Sequence, residues 1–517
     1  VVPRGTSLDS LMMKKHGVTC SYTTAHDVTL RPLTVQAIEL GGLPADVSLS
    51  QLGLSQHGAV SALRIRIACD GPIDLKHLDF NHLDFFLANV DSQATSLLEL
   101  LMGHFVGAFC QTVSNEPVRV ILKDDAGVLR QEGFGAQQAL LPEGMRNFTG
   151  YRLLQEYFAF PPRFQFISLH GMRPLLAQSG KAREFEIVLL LDKTDTQLER
   201  VIDKRHMALH CTPVINLFKK TTERQRISNG QHEYHLVVDN IRPLDYEIYS
   251  VEHITASGDG QHHDQSFRPF WSTWCGDGSN YGAYFSLRRE QRMLSEQALR
   301  YGTRTSYIGS EVFASLVDER HAPWRDDLRY LSADVLCTSR DLPLLLQQDF
   351  GEFILPDSLP VKKLTVHKGP TSPRPALAEG LSTWRLISQL QINYLSLMDT
   401  ESGENAAALR QMLMLYANLA EPSVARQIAG LQRCVLAPQH RLVPQPGPMV
   451  FARGTGITLT VDEQAFSGSS AWLLGSVLER VFQRLAAINS FTEFTLLSLQ
   501  RGEIGYWPPA PGKRNLV

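Results

Sequence analysis

The side chains most able to bind a metal cluster in one short segment of the chain. His206 and His210 are four residues apart, which on a helix places both imidazoles on one face, and Cys211 follows directly. With Asp203 or Glu199 they could hold a divalent ion for a metal-dependent enzyme. The segment reads H-M-A-L-H, however, whereas a zinc protease carries a Glu after the first His. A packed structural segment is therefore the favoured interpretation, and the metal-dependent enzyme stays an alternative.

Other patterns that could do chemistry are weaker. The stretch His262-His263-Asp264 lies in a Gly-rich segment and is typical of a solvated loop. Gly276-Asp277-Gly278 resembles a phosphate loop, but its spacing does not fit a dinucleotide fingerprint, which must follow a strand and open a helix. Arg288, Arg289 and Arg292 form a basic group on a predicted helix, typical of a solvated face. The sequence thus indicates no catalytic, cofactor-binding or metal-ligating residues, and no cofactor.

Composition narrows the class of protein. The 517 residues carry 50 Lys+Arg and 53 Asp+Glu, a formal net charge of −3, which argues against a dedicated nucleic-acid binder. With 43% hydrophobic and 20% charged residues, the chain is typical of a globular protein. Seven irregularly spaced cysteines without a CxxC pair fit unpaired thiols in a reducing cytosol. The sequence begins without Met or a signal peptide, so we expect an excerpt of a longer chain.

The spacing of apolar residues predicts strands and helices before the proline-rich linker, and the two types alternate in the first third of the chain. Leu63, Ile65 and Ile67 alternate with Arg64 and Arg66, which predicts a half-buried strand over 63–69. Further elements are expected as follows: a helix from Asp91 that continues through Phe105 and Phe109, strands over 118–122, 164–169 and 185–191, a helix over 147–160, two strands over 236–251, and two long loops over 257–282.

Proline-rich breaks divide the last third. Residues 369–375 contain three prolines and predict a linker, and residues 443–448 predict a second break. Helices are expected over 381–398, 404–419 and 423–434, and strands over 457–461 and 494–499. Between those strands, Ser469 or Ser470 caps a helix with a buried stripe through Leu485 and Ile488. The polar residues of that helix, expected to face water, are Glu479, Arg480, Gln483 and Arg484.

These patterns predict an α+β or mixed α/β multidomain chain with mixed or antiparallel sheets and a C-terminal α/β module. We expect three domains. Residues 1–146 form an N-terminal β-rich α/β domain, residues 147–368 a central β-rich domain with long loops, and residues 376–517 a C-terminal helical and α/β domain.

Seven stretches, taken together, resemble one protein family. In chain order they are Pro3-Arg4-Gly5-Thr6; Tyr157-Phe158-Ala159-Phe160-Pro161 running into Arg163-Phe164-Gln165-Phe166; His210-Cys211-Thr212-Pro213-Val214-Ile215-Asn216-Leu217-Phe218; Arg242-Pro243-Leu244-Asp245-Tyr246-Glu247-Ile248-Tyr249-Ser250-Val251; Phe451-Ala452-Arg453-Gly454; Ile488-Asn489-Ser490-Phe491; and Arg501-Gly502-Glu503-Ile504 with Trp507-Pro508-Pro509. The chain is similar over residues 3–509 to the TssF (ImpG/VasA) family, a baseplate subunit of the bacterial type VI secretion system.

The resemblance implies a structural protein and no enzyme. It implies a fold like that of contractile-tail baseplate wedge proteins, and a pair of copies of this chain on one TssG. Further implied partners are TssK, TssE, the VgrG spike, the sheath and the membrane complex, with neither nucleic acid nor a small-molecule substrate. The assembled ring would prime tube and sheath polymerisation in the cytoplasm, docked at the inner face of the cell envelope.

Three points stay open at the level of sequence. Family members open with a further helical segment before the Pro3-Arg4-Gly5-Thr6 stretch, which the resemblance implies helps to bundle the wedge subunits. The motifs also separate a secretion-system subunit poorly from the wedge protein of a contractile phage tail or of an extracellular injection particle. Flexible linkers at 369–375 and 443–448 would let two copies adopt different conformations.

Overall fold

The structure is a computed structural model of the chain. It describes residues 1–11, 19–48, 58–88, 90–142, 149–228, 231–258, 264–270, 283–294, 296, 300, 303–318, 328–346, 353–355, 359–361, 363–375, 384, 406–416, 422–442 and 451–514. The predicted helix over 381–398 and the break over 443–448 lie outside these residues, apart from residue 384.

The described residues are mostly β-structure. The strands are β1 (Ser7–Ser10), β2 (Ser21–Thr24), β3 (Leu33–Gly42), β4 (Ser61–Cys69), β5 (His82–Leu87), β6 (Phe105–Thr112), β7 (Arg119–Ile121), β8 (Leu129–Gln131), β9 (Phe166–His170), β10 (Glu184–Leu191), β11 (Met207–Leu209), β12 (Val214–Ile215), β13 (Phe218–Thr221), β14 (Gln225–Arg226), β15 (Tyr234–His235), β16 (Glu247–Gly258), β17 (Gln265–Pro269), β18 (Ala283–Gln291), β19 (Ser310–Asp318), β20 (Leu328–Thr338), β21 (Phe353–Ile354), β22 (Leu431–Leu442), β23 (Phe451–Val461), β24 (Phe491–Ser498) and β25 (Gly502–Pro511). The α-helices are α1 (Asp91–His104), α2 (Thr149–Ala159), α3 (Arg173–Gln178), α4 (Thr196–Val201), α5 (Ala407–Leu413), α6 (Pro422–Ala429) and α7 (Ala471–Leu485).

The strands form five sheets, as the prediction of mixed and antiparallel sheets requires. Their orders are β3-β4-β10-β6-β7, β11-β5-β9-β8, β22-β23-β24-β25, β12-β2-β1-β21, and β13-β20-β16-β17-β18-β19-β15 with β14 also paired to β20. Among the described strand pairs, β17/β18 and β23/β24 are parallel and the others antiparallel. The mixed α+β fold class is confirmed. No helix in the described part of the chain is long and apolar enough to cross a membrane.

The described residues fall into two compact units. Unit 1 comprises Val1–Pro3, Ala25–Pro213 and Leu377–Val517, and unit 2 comprises Arg4–Thr24 and Val214–Ala376. These units cut across the segments 1–146, 147–368 and 376–517, because residues from 149–207 share one hydrophobic core with residues from both 33–134 and 406–504. The three-domain division stays a prediction about which segments fold on their own.

Strand β10, at the centre of the sheet β3-β4-β10-β6-β7, explains the alternating charges on β4. β4 and β6 both pair with β10 in antiparallel register. The predicted strand over 63–69 is confirmed, with Leu63, Ile65 and Ile67 buried. On the opposite face, Arg64 and Arg66 form ion pairs with glutamates of β10, at 2.8 Å and 2.6 Å. The alternation therefore reports a sheet with one apolar and one charged face.

The helix that begins at Asp91 is shorter than the spacing predicts. It ends at His104, and Phe105 and Phe109 lie in strand β6, so the expectation that they continue the helix is wrong. Both phenylalanines pair with β10. The segment F-V-G-A-F-C-Q-T is rich in aromatic and small residues, with a glycine that weakens a helix interior, and sheet pairing decides its conformation.

The C-terminal α/β module is confirmed, with a correction to its helix. β23 and β24 are parallel, and α7 connects them. The hydroxyl of Ser470 accepts the Leu473 N–H at 3.2 Å, as the cap prediction requires. Glu479 and Gln483, expected to face water, are buried, and α2 is among the elements that pack on α7. Ile488 lies beyond the helix and is exposed.

The predicted helix over 423–434 ends early. α6 stops at Ala429, and β22 begins at Leu431. Gly430 separates them, and its N–H donates to the carbonyls of Arg426 and Gln427 at 2.9 and 3.1 Å. A Cβ at Gly430 would lie 2.6 Å from the Ala465 Cβ, so the close approach of two segments requires glycine here.

Unit 2 is built around the long strands β16 and β20, which pair over most of their length. Ile254, Phe285 and Val335 lie in its buried core. Arg288 and Arg289 stand on strand β18, so the predicted helix for the basic group is wrong. Residues 369–375 contain no helix or strand, in keeping with their prolines.

Candidate assembly interfaces

The structure does not assemble the side chains considered for a metal. Asp203 Oδ1 lies 3.1 Å from His206 Nδ1, whereas the second imidazole nitrogen lies 3.2 Å from Gln93 Oε1. His210 Nε2 instead accepts the backbone N–H of Arg31 at 3.2 Å. Among the described residues, no group of three or more His, Cys, Asp or Glu side chains is placed to hold a metal ion. The segment is a strand, so the helical spacing that motivated the metal-dependent enzyme is absent.

His210 nevertheless lines a small cavity of about 280 Å³ in unit 1, together with other polar side chains. The rings of His82 and His170 stack there with centroids 5.3 Å apart, and His170 Nε2 lies 3.0 Å from Ser168 Oγ. Burial lowers the pKa of His170 and of His210, because desolvation disfavours the charged imidazole. The lowered pKa values favour the uncharged form of both imidazoles, which take part in hydrogen bonds with Ser168 and with the Arg31 backbone.

One family-like stretch supplies a buried ion pair. Arg163 is fully buried, and its guanidinium contacts the carboxylate of Glu156 on α2. Glu156 also accepts the N–H groups of Leu140 and Leu141, both at 3.0 Å, and an N–H of Arg152 at 2.9 Å. The pair therefore fastens residues 133–141 to α2. Its role is to fix a loop, since no face of it reaches solvent.

A second family-like stretch forms a loop that arginines hold in place. Four arginines donate to its backbone carbonyls: Arg292 to Pro243 (3.1 Å), Arg304 and Arg340 to Leu244 (3.4 and 3.0 Å), and Arg289 to Ile248 and Tyr249 (2.8 and 2.9 Å). Arg304 is itself held by Asp341 at 2.5 Å and Asp245 at 2.9 Å. Charge-assisted hydrogen bonds of this kind are about twice as strong as neutral ones. The basic group predicted to be a solvated face thus contributes two anchors: Arg292 bonds to the loop at Pro243, and Arg289 bonds to the start of strand β16.

The anchored loop presents apolar side chains to solvent. Ile241 is 89% exposed and Leu244 is 57% exposed. The Arg292–Pro243 hydrogen bond brings the end of β18 to this loop, where Met293 is 88% exposed. We call Ile241, Leu244 and Met293 the apolar loop surface. Large apolar side chains on a rigid loop lose little conformational entropy when covered, which is a property of protein interfaces.

A third family-like stretch lies on a β-hairpin that extends past its sheet. β22 and β23 pair as far as Leu442 opposite Phe451, whereas β24 joins β23 only from Gly454. Phe451 is 70% exposed and Leu442 is also exposed. Arg441 is tied back to Glu493 at 3.0 Å. We call residues 437–442 and 451–453 the hairpin arm, which carries exposed apolar and basic side chains together.

A fourth family-like stretch lines a groove of about 1030 Å³ in unit 1. The walls are the end of α1, residues 129–138, α7, and β25 with Lys513. Trp507 packs against Trp472 and Phe494, with ring centroids 5.5 and 5.3 Å apart. Four features that suit a scaffold are thus in place: a fastened core loop, an apolar loop surface, a hairpin arm and a groove.

The sequence matches the model of the family described as "Type VI secretion system, TssF" over residues 1–514. The chain belongs to the TssF family. A curated relative, the type VI secretion system component TssF1 of Pseudomonas aeruginosa, is 42% identical over 518 residues, which cover 99% of this chain and 82% of the relative.

Solved structures agree on the fold of this TssF family member. A chain of the cryo-electron-microscopy structure of a TssK-TssF-TssG baseplate subcomplex matches with a TM-score of 0.72 and 23% identity, covering 99% of this chain and 88% of that one. A chain of a type VI secretion system baseplate complex matches with a TM-score of 0.56 and 20% identity, covering 100% and 82%. At these identities the likeness shows a shared fold.

Sequence reasoning located the stretches but missed what they do. It placed Arg289 and Arg292 on a solvated helix, although in this TssF-family chain Arg292 holds the loop and Arg289 holds the start of β16. It also gave no signal that Ile241 and Met293 are exposed, because isolated apolar residues in a loop look the same whether covered or not. One clue was available: the stretch around residue 243 lacks both helical and alternating periodicity, so its backbone groups need side-chain partners.

Proposed function

We propose that this chain is a structural subunit of the type VI secretion system baseplate wedge, which scaffolds assembly of the contractile tail around the spike. The observation that carries the proposal is the match to the TssF family over residues 1–514. The chains of similar fold belong to baseplate complexes, one of which contains TssK and TssG. Its role is mechanical, and no catalytic step is part of it.

The partners follow from the same proposal. Two copies of this chain join one TssG, and the resulting wedge contacts TssK, TssE and the VgrG spike. Sheath and membrane complex are the outer partners, and the assembly works in the cytoplasm at the inner face of the cell envelope. A solved subcomplex of TssK, TssF and TssG supports the first part of this set.

The geometry supports an interface role at the apolar loop surface. Ile241 and Met293 are almost fully exposed, which leaves large apolar side chains in water unless a partner covers them. The arginine-to-carbonyl bonds fix that loop before binding, so association does not have to order it. Stable wedge contacts are expected to bury on the order of 2,000 Å² or more in total.

The decisive experiment is co-purification of this chain with tagged TssG, followed by native mass spectrometry. The expected species contains two copies of this chain and one TssG. A soluble monomer with no affinity for TssG would contradict the proposal. The metal-dependent enzyme is tested in the same preparation, since stoichiometric zinc, iron or manganese by elemental analysis would revive it.

A further inference from the structure

The groove in unit 1 carries a concentration of positive charge. Arg480 and Arg484 lie on α7, and Lys513 follows β25, where its backbone N–H donates to the Gln483 carbonyl of α7 at 3.0 Å. Arg480 Nε lies 3.2 Å from the carboxylate of buried Glu479, and one N–H of Arg484 donates to the Phe134 carbonyl at 2.7 Å. No described residue accepts a hydrogen bond from the Lys513 ammonium. The lining as a whole carries more positive than negative side chains: the cations are Arg130, Arg480, Arg484 and Lys513, and the carboxylates are Glu132 and Glu503.

The electrostatics of the individual groups agree with this excess. Burial lowers the pKa of Lys513, and the charges of Arg480 and Arg484 lower it further. Burial also raises the pKa of Glu479, because desolvation disfavours the charged carboxylate, whereas the charges of Arg480, Lys513 and Arg484 act to lower it. An added carboxylate from outside would reduce the repulsion among the three cations.

Aromatic side chains line the groove beside these cations. The guanidinium of Arg480 lies over the Phe134 ring, 5.3 Å from its centroid. Trp507 is half-buried, with its indole packed on buried Trp472. A ligand that carried a negative charge next to an apolar side chain would find complementary chemistry at both points.

We propose that this groove binds an acidic, extended segment of a protein partner, with carboxylates at Arg480, Arg484 and Lys513 and an apolar side chain against Trp507. Charge complementarity is the ground for this occupant. The volume of about 1030 Å³ exceeds that of most small-ligand pockets and suits a short peptide.

The lining also argues against a nucleic acid. Glu132 and Glu503 belong to the same groove, and Glu132 is held there by hydrogen bonds from Gln138 (2.6 Å) and Ser168 (2.5 Å). A continuous polyanion with evenly spaced phosphates would meet both carboxylates. A peptide carries negative charge only at its acidic residues, so it can place neutral residues beside Glu132 and Glu503.

The test uses the full chain and two labelled twelve-residue peptides. One peptide is rich in Asp and Glu around a central Trp, and the other has Asn and Gln at the same positions. Fluorescence anisotropy at low and moderate salt measures binding to the wild type and to Lys513→Glu. Lys181→Glu is the matched control, because Lys181 is an exposed lysine in a turn outside the groove. Circular dichroism confirms that the variants are folded.

The expected result is selective binding of the acidic peptide, weakened about tenfold or more by Lys513→Glu and by added salt, and unchanged by Lys181→Glu. Equal binding of both peptides, no binding, or equal loss in both variants would overturn the proposal. So would a single-stranded oligonucleotide that binds with the same sensitivity to Lys513→Glu while the peptide does not.

One further outcome concerns the chain itself. Binding that appears only after residues 515–517 are removed would make the chain's own end the occupant, which also overturns the proposal. The peptide-binding measurements do not contain TssG. A negative result in them therefore does not bear on the wedge proposal, which is tested separately by co-purification with TssG.

Discussion

The guanidinium of Arg163 lies fully buried against the carboxylate of Glu156, which in turn accepts two backbone N–H groups from residues 140 and 141. Removal of Arg163 breaks this buried ion pair, leaves Arg152 as the cationic partner of Glu156, and takes away the N–H groups that the carbonyls of residues 133 and 138 accept. We expect Arg163→Met to lower the free energy of unfolding by about 3–5 kcal/mol, measured by urea denaturation.

The matched control is Arg66→Met, which removes an exposed arginine from its ion pair with Glu184. Surface pairs contribute about 0–1 kcal/mol, so this variant should unfold nearly as the wild type does. Equal effects of the two substitutions would show that the buried pair is not what fastens residues 133–141 to α2.

The apolar loop surface predicts a variant that assembles poorly although it folds normally. Ile241→Asp places a charge at an 89% exposed position, so the melting temperature should not change. Affinity for TssG should fall about tenfold or more, because desolvating the new carboxylate opposes burial of the surface. Quantitative co-purification with tagged TssG measures the loss.

Ile488→Asp provides the control for that loss, since Ile488 is also exposed but lies in unit 1 outside the apolar loop surface. It should bind TssG as the wild type does. If both substitutions weaken binding equally, or neither does, the apolar loop surface is not the contact with TssG.

How far the sequence predicts this fold depends on whether local pattern and tertiary contacts agree. They agree in β4, where alternation matches one buried and one charged face, and at Ser470, whose hydroxyl caps α7. They disagree at Phe105 and Phe109, which satisfy a helical spacing but pair in a sheet with β10. Periodicity reports which residues share a face only after the secondary structure is settled.

The burial and the hydrogen-bond partners of side chains at the candidate interfaces were less predictable from sequence, because they also depend on tertiary contacts. Glu479 is a polar residue in a helical pattern, and only the folded structure shows that it is buried. Arg289 and Arg292 bond to carbonyls about 40 and 50 residues earlier, which no local window contains. Exposure and partner choice are thus properties of the assembled chain, whereas the family resemblance depends on short stretches that the sequence shows directly.

The packing of Trp472 and Trp507 predicts that a larger residue at position 505 destabilises the fold. A Cβ there would lie 2.7 Å from the Trp507 ring and 3.2 Å from Trp472 Nε1. Because both rings are packed, Gly505→Ala should lower the free energy of unfolding by about 1–3 kcal/mol. Gly41→Ala, where a Cβ meets nothing within 4 Å, should change it by less than about 0.5 kcal/mol. Denaturant midpoints of the two variants would test the comparison, and equal midpoints would contradict it.

The histidine cavity predicts that stability falls on acidification. Burial lowers the pKa of His170 and of His210, with further lowering from Arg130 and Arg31 respectively. The unfolded chain therefore binds more protons than the folded chain below the ordinary histidine value of about 6.5. The free energy of unfolding should fall as pH drops from 7.5 through 6.5 to 5.5, measured by urea denaturation at each pH.

A double variant separates these imidazoles from other titrating groups. His170→Gln with His210→Asn removes both, and Asn suits the positive φ of 59° at residue 210. Asp84 lines the same cavity, and burial raises its pKa, so its contribution has the opposite sign. That contribution is present in wild type and variant alike, so their difference reports the imidazoles. The variant's curve should be flatter between pH 7.5 and 5.5, and two parallel curves would show that these histidines do not couple protonation to folding.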